Sequence, residues 1–458
     1  DLPNGQIARI PLRMYVIDEN GNFDFCEVTL ILQDSPLTNA CQDVASLLPS
    51  VSGRITTEMS DGVNNIEVEL TNMTSALNKT EMTNNDGQYK FDGIDVFDPK
   101  TIEARNEADL LNGVSTLDLV MMQRHILGLQ SIASPYKLLA ADVNNSKSIT
   151  ASDLVDLRKV ILGMSTSFVN NTSWRFVPSD FVFQDPTYPF DFPSMINLDS
   201  LFEDKTNVNF IGVKVGDVNN SVEANLNSSS TENRSANALF VTDLIEFEGG
   251  AHVKVDVKAA ELMDIMGTQF GLGFDADQLV FQQVKSGKLN VHDYNINTNL
   301  AADGKLYFSI DIPNGVSLSP DDVLMTIEFK SKAKGNTAFM STSNDNFDSE
   351  VYELDGTVKS LNILARSNAS GPQNELFQNQ PNPFKDFTNI SFELAEAANT
   401  SIKVMDVTGK VVYTHVSNYE KGYHTLTLSN AHFTGKGVYY YQINAGEFTA
   451  TKKMILIE

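Results

Sequence analysis

Positive charge, cysteine, histidine and tryptophan are all scarce in this chain of 458 residues. Lysine and arginine total 33 against 59 acidic residues, a formal net charge of -26. Such a surface repels nucleic acid and anionic lipid and favours divalent cations. Much of the acid stands beside Asn, Ser and Gly in turns, so most of it reads as a solvated surface, with specific cation sites at a few points. No run approaches the roughly 20 apolar residues of a membrane-spanning helix. No basic-plus-apolar signal stands at the start, and the strand-like run from Ile7 to Ile31 begins without a preceding partner. The expectation is a fragment or processed product whose export signal lies upstream.

The same scarcity excludes most catalytic machinery. Six histidines (His125, His252, His292, His415, His424 and His432) are scattered, and none forms H-E-x-x-H or a zinc-like spacing. There is no G-x-S-x-G elbow and no phosphate-binding glycine loop. Acid pairs fit for glycoside hydrolysis escape sequence reasoning, because any two carboxylates can meet in space. Each segment nevertheless has a non-catalytic reading, and the expectation is no enzyme. The two cysteines are Cys26 and Cys41. A bridge between them would close a short loop and contribute about 3 kcal/mol in the chain-entropy model. Free buried thiols, or a bridge to an upstream partner, are the alternatives.

What is present is mostly alternating apolar residues broken by Asp, Asn and Gly, the signature of antiparallel β-sandwiches. Length alone suggests roughly three to five units. In residues 1–46 the runs Ile10–Ile17 and Val28–Leu32 flank the turn formers Glu19-Asn20-Gly21-Asn22, a hairpin signal. Here "DENGNFDFCEVTLILQD" resembles the closing strands of immunoglobulin-like, hyalin-repeat-like modules. Residues 50–105 carry "VSGRI", the alternation Ile66, Val68, Leu70, and an Asp86-Gly87 turn before Tyr89 and Phe91. They resemble the carboxypeptidase regulatory-like (collagen-adhesin B-type) sandwich. Residues 167–236 hold the sole tryptophan, Trp174, and end in a Ser/Asn-rich linker from Asn225 to Asn237. Residues 237–365 alternate at Val253, Val255 and Val257 and again at Phe270, Leu272 and Phe274. Through "GTQFGLGFDADQLVF" and "DDVLMTIEFKSKAKG" they resemble cohesin domains. A second polar linker spans 366–376.

Residues 106–166 change period. The segment from Asp118 to Gly128 repeats as Asp153 to Gly163, an offset of 35 residues with both helix ends in register. Before the second helix stands "DVNNSKSITASD". Calcium gathers six to eight oxygens, and a twelve-residue loop supplies them from positions 1, 3, 5, 7, 9 and 12. Here these are Asp142, Asn144, Ser146, Ser148 (through its carbonyl), Thr150 and Asp153. The loop-helix pair is similar to a dockerin repeat, the EF-hand-like half. It departs from that pattern with Ser146 at the usual acid and Lys147 at the usual glycine. Fewer carboxylates imply affinity of about 10⁻⁴–10⁻³ M. An upstream loop from Glu107 supplies Glu107, Asp109, Ser115 and Asp118, with Leu111 at the fifth position. The alternative for both loops is a plain helix N-cap. "DVNNS" recurs at Asp217–Ser221, as a turn or as a lender of oxygens to a calcium site.

The chain closes on "FQNQPNPFKDFTNISFEL", "DVTGK", "GKGVYYYQINAG" and "KKMILIE" within 376–458. Pro381 and Pro383 forbid a regular central strand, and Thr408-Gly409 and Ala445-Gly446 mark hairpin turns. Over its length this resembles the type A C-terminal sorting domain of type IX secretion. The motif residues are Pro381, Asn382, Pro383, Phe384, Gly409, Gly437, Tyr439, Lys452 and Lys453. The resemblance implies passage through the outer membrane by the type IX machinery, and a secreted or surface-attached protein. The expected architecture is mostly β: a string of antiparallel sandwiches with one small dockerin-like helical module. The expected task is a calcium-binding stalk or adhesion region without nucleic-acid partners. The alternative is carbohydrate binding or cohesin–dockerin-type scaffolding in polysaccharide breakdown.

Overall fold

A computed structural model describes residues 7–17, 23–33, 48–73, 78–96, 98–225, 237–320, 322–338, 340–343, 347–366, 374–379, 382–433 and 435–457. Among these, no helix is long and apolar enough to cross a membrane. The chain divides into two compact units that interleave in sequence. One takes 1–108, 172–214 and 223–228, and the other takes 109–171, 215–222 and 229–458.

In the first unit Ile7–Ile17 pairs antiparallel with Phe23–Gln33, setting Met14 opposite Cys26. The Asn20-Gly21 turn and Cys41 lie outside the described residues, and with Cys41 lies the expected bridge. The remaining strands form two sheets. Gln88–Phe91, Val51–Thr56, Phe210–Lys214 and Trp174–Pro178 make one; Asn78–Met82, Glu67–Asn72, Lys100–Arg105 and Met195–Leu198 make the other. The period-2 pattern does its work here: Ile66, Val68, Leu70, Tyr89 and Phe91 are all buried. Strands from 174–214 complete the sheets begun by 51–105. The Asp86-Gly87 turn needs its glycine, which sits at φ +74 with the Ile55 carbonyl 2.1 Å from where a Cβ would lie.

The second unit is built on a ten-stranded antiparallel-dominated sheet wrapped over one core. Its path runs from Leu279–Ser286 through Val323–Ser331, His252–Ala259 and Asn237–Asp243 to Val358–Arg366. It continues through Ser341–Thr342 and Met263–Gly273 to Lys305–Leu318 and Ile296–Asn297. Phe270 stacks on Phe308 at 4.6 Å between centroids, with Phe240 edge-on to Phe270. Each such ring contributes about 1.5–3 kcal/mol by burial.

The same unit holds three helices, α1 (Thr116–Ile126), α2 (Pro135–Ala141) and α3 (Ala151–Ile161). After α1 and α3, Gly128 and Gly163 stand at φ +69 and +66, the left-handed termination the repeat calls for. Its last module pairs Glu375–Leu376, Phe387–Leu394 and Gly422–Ser429 in one sheet. Val411–Tyr419, Ala398–Asp406, Gly437–Ala445 and Phe448–Leu456 form the facing sheet. Phe384, Ile390, Phe392, Ile402, Val404, Tyr441, Ile443 and Met454 fill the space between.

Candidate functional site

The loop from Asp142 to Asp153 is shaped by its own side chains. Asp142 is buried, and its carboxylate accepts from the backbone N–H of Ser146 (2.8 Å) and Lys147 (3.0 Å). Asn144 Oδ1 accepts from Ser146 N at 3.1 Å, and Ser146 Oγ reaches the Ser148 carbonyl at 3.2 Å. Asn145 and Lys147 take φ +55 and +64. Asp153 closes the loop, accepting from Asn144 N (3.1 Å) and from Thr150 N (2.9 Å). Thr150 and Asp153 form a capping box on α3. The N-cap role is therefore real and accounts for those two residues, while Asp142 and Asn144 hold the turn that precedes them. The donor set is all oxygen, with two carboxylates, which suits a hard cation such as calcium. Among the described residues no three His, Cys, Asp or Glu side chains converge, so neutral oxygens would have to supply the rest.

Of the upstream residues, Ser115 and Asp118 cap α1 in the same way, Asp118 Oδ2 accepting from Ser115 N at 2.9 Å. Glu107 belongs to the first unit, whereas Asp109, Ser115 and Asp118 belong to the second. Asp118 takes its other bonds from far along the chain: its Oδ1 accepts from Val218 N (2.7 Å) and Asn219 N (3.2 Å). There "DVNNS" repeats the first loop atom for atom. Asp217 accepts from Ser221 N (3.1 Å) and Val222 N (3.0 Å), and Asn219 Oδ1 accepts from Ser221 N (2.9 Å). Asn220 takes φ +64, as Asn145 takes +55. Ser221 Oγ donates to the Gly113 carbonyl at 3.1 Å, the counterpart of Ser146 to Ser148. Burial, reinforced by the Asp217 charge, raises the Asp118 carboxyl well above the usual range. Gly113 stands at φ +73, with Val222 N and Cα 2.5 Å from a Cβ position, so only glycine fits. The pentapeptide Asp217–Ser221 is the sequence signal for the front half of this arrangement, whereas no local spacing marks the Gly113 carbonyl as the partner of Ser221.

Both capped helices lie against the sandwich of their own unit. Leu117 and Val120 of α1 pack with Met266 and Tyr352. Thr116 N donates to Gln269 Oε1 at 2.8 Å, and Thr116 Oγ1 lies 2.7 Å from Ser309 Oγ, both buried. Arg124 donates to the Pro313 carbonyl at 3.2 Å. Arg158 of α3 pairs with Asp311 and lies 5.0 Å over the Tyr294 ring, while Asn297 holds the Leu162 carbonyl at 2.7 Å.

In the last module Phe384 is buried and bonds both ways with the final strand, its N to Ile455 O (3.0 Å) and its carbonyl to Ile457 N (2.8 Å). The side chain of Asn382 accepts from Ile455 N at 2.9 Å, and the following Asn382–Pro383 peptide is cis. Residues 380–458 match the family described as the secretion system C-terminal sorting domain. These residues are a type IX sorting domain. The protein is accordingly secreted or attached at the cell surface. In the sorting domain Tyr439, Tyr441 and Ile443 face inward while Tyr440 faces out, as their alternation requires. Gly409 and Gly437 take φ +83 and +143 at turn and strand start. Lys453 opposes Tyr440 and Lys452 opposes Tyr441 in the last hairpin. Pro381 lies outside the described residues.

No curated protein matches the chain. Among solved structures it is similar to the seventh ScaB type I cohesin of Pseudobacteroides cellulosolvens, at 20% identity over 29% of this chain and 95% of that one, with a TM-score of 0.22. It is similar too to a non-cellulosomal cohesin from Archaeoglobus fulgidus, at 17% identity over 29% and 93%, with a TM-score of 0.21. A type II cohesin dyad of Acetivibrio cellulolyticus aligns at 10% identity over 46% and 89%, with a TM-score of 0.24.

Proposed function

We propose that this chain is a non-catalytic, calcium-binding stalk and adhesion region of an exported protein. The observation that carries the reading is the loop Asp142–Asp153, an all-oxygen donor set pre-folded by its own hydrogen bonds and leading straight into α3. Calcium there would be held by Asp142, Asn144, Ser146, the Ser148 carbonyl, Thr150 and Asp153. Bound calcium supplies charge that neutralises the loop carboxylates. The chain's own residues do the rest: α3 transmits the loop's order to the sandwich through Arg158 and Asp311. Binding only the folded form stabilises it by RT ln(1 + [Ca]/Kd). The test is calcium uptake and thermal melting of the full chain with and without chelator. Unchanged melting together with no uptake would sink this reading.

A second reading, carbohydrate binding or cohesin–dockerin-type scaffolding, has one observation bearing on it. The helical module rests on the sandwich of the same unit through buried polar and apolar contacts. That favours docking within the chain, which stiffens a stalk, over capture of a helical partner from another molecule. A glycan array and a sedimentation assay for self-association separate the two readings, and binding in either assay favours the second.

A further inference from the structure

The chain's calcium-loop pattern occurs once as contiguous sequence and a second time in two pieces. In the contiguous loop, positions 1, 3 and 5 are Asp142, Asn144 and Ser146, and positions 7, 9 and 12 are Ser148, Thr150 and Asp153. The helix-proximal half recurs 35 residues upstream as Gly113, Ser115 and Asp118, while the front half recurs 75 residues downstream as Asp217, Asn219 and Ser221. The two halves meet: Val218 N donates to Asp118, 100 residues away, and Ser221 Oγ to the Gly113 carbonyl.

We infer that Asp217, Asn219, Ser221, the Gly113 carbonyl, Ser115 and Asp118 form a second, discontinuous calcium site. This rests on the calcium reading of the Asp142–Asp153 loop. Two carboxylates are buried here, Asp118 at 0% exposure and Asp217 at 4%, and Asp118 Oδ1 accepts from the backbone N–H of Val218, the residue that follows Asp217. Burying two carboxylates in one all-oxygen donor set is costly, and a hard cation held by those oxygens offsets the cost. Ser115 and Thr150, and Asp118 and Asp153, hold the same capping places on α1 and α3, so the oxygens of the two sites are presented by the same local frame. The site replaces the contiguous Glu107–Asp118 loop, whose fifth position is Leu111. A cation bound here fastens the strand-end segment 217–222 to the start of α1. It would thereby close a long excursion of chain, where loop-closure entropy favours opening.

The experiment is equilibrium dialysis of the chelator-stripped full chain against calcium spanning about 10⁻⁵ to 10⁻² M, with circular dichroism to confirm folding. The expected uptake is two ions per chain, falling to one in Asp217→Asn and to one in Asp142→Asn. The double variant Glu107→Gln/Asp109→Asn should keep both. If Asp217→Asn fails to fold, Asn219→Asp replaces it: the added carboxylate should tighten one of two sites by about tenfold. Retention of wild-type uptake by Asp217→Asn, or loss of an ion in the Glu107/Asp109 variant, overturns the split site and leaves the contiguous one standing. Equal affinities in Asn219→Asp and the wild type do the same. No uptake by any form overturns the calcium reading itself.

Discussion

Arg158 of α3 and Asp311 of the sandwich form an ion pair in which each side chain is only 7% exposed. A charge buried with its partner is costly to orphan, by about 3–5 kcal/mol, whereas replacing both by apolar groups is often neutral. Arg158→Met alone should therefore destabilise the second unit by about that amount, and Asp311→Leu alone likewise. The double variant should recover most of the loss. Denaturant unfolding of the four proteins gives the coupling energy; additive losses would show that the pair does not hold the helix.

Calcium should raise the melting temperature of the region carrying α1 to α3. At ten times Kd the linkage amounts to about 1.4 kcal/mol per site. Hydrogen exchange read with and without chelator should place the added protection at Ser146, Lys147 and the first turn of α3. Protection spread evenly over both units would contradict a local effect.

Lys147 takes a backbone conformation suited to glycine, at φ +64. A left-handed non-glycine residue costs about 1–2 kcal/mol, and the freedom glycine adds to the unfolded chain offsets about half of that. Lys147→Gly should stabilise the folded form by up to about 1 kcal/mol and tighten calcium by removing a positive charge from the loop. Asn145→Gly should gain less, since asparagine tolerates this region. Calorimetric melting and calcium titration of both variants check the order.

In the first unit Lys100 is fully buried, and its ammonium donates to the Asp98 carbonyl. Burial lowers its pKa from 10.5, opposed by the charges of Asp95 and Asp98. The folded amine thus releases its proton before the unfolded one, so the unfolded state binds more protons and stability rises with pH. That rise occupies the window below 10.5 and ends there. Lys100→Met should remove this slope and leave stability at neutral pH equal or higher. Parallel melts of both proteins from neutral pH upward are the check; equal slopes would refute it.

Phe384 anchors the sorting domain, buried against Phe433 and bonded to the last strand. Phe384→Ala should cost about 3–5 kcal/mol and reduce the exported fraction of the full chain in a type IX-competent cell. Tyr440→Ala, on the outer face, should change stability little. Comparing the two separates folding of the domain from recognition of its surface.

Much of this was legible from local chemistry. The alternation at Val253, Val255 and Val257 and at Phe270, Leu272 and Phe274 set each group on one face, because a strand's side chains alternate whatever they pack against. The repeat from Asp118 and Asp153 located α1 and α3, since caps and C-terminal glycines act within one turn. The half-loop at Asp217 is visible as a pentapeptide, but the loop that ends at Asp118 reads locally as starting at Glu107, because a contiguous spacing cannot show a partner 100 residues away.

Sequence alone determined the strand and helix periods, the capped loop-helix repeat, the acidic balance and the sorting motif at the chain's end. All of these depend on residues within a few positions of one another. Only the tertiary structure decided that Trp174–Pro178 and Phe210–Lys214 join the sheet begun at Val51, and that Arg158 meets Asp311. Only it decided that Asp118 finds its partner loop at Asp217. Such meetings are set by where the chain returns after a long excursion, and burial and hydrogen bonding across that distance have no local spacing to read.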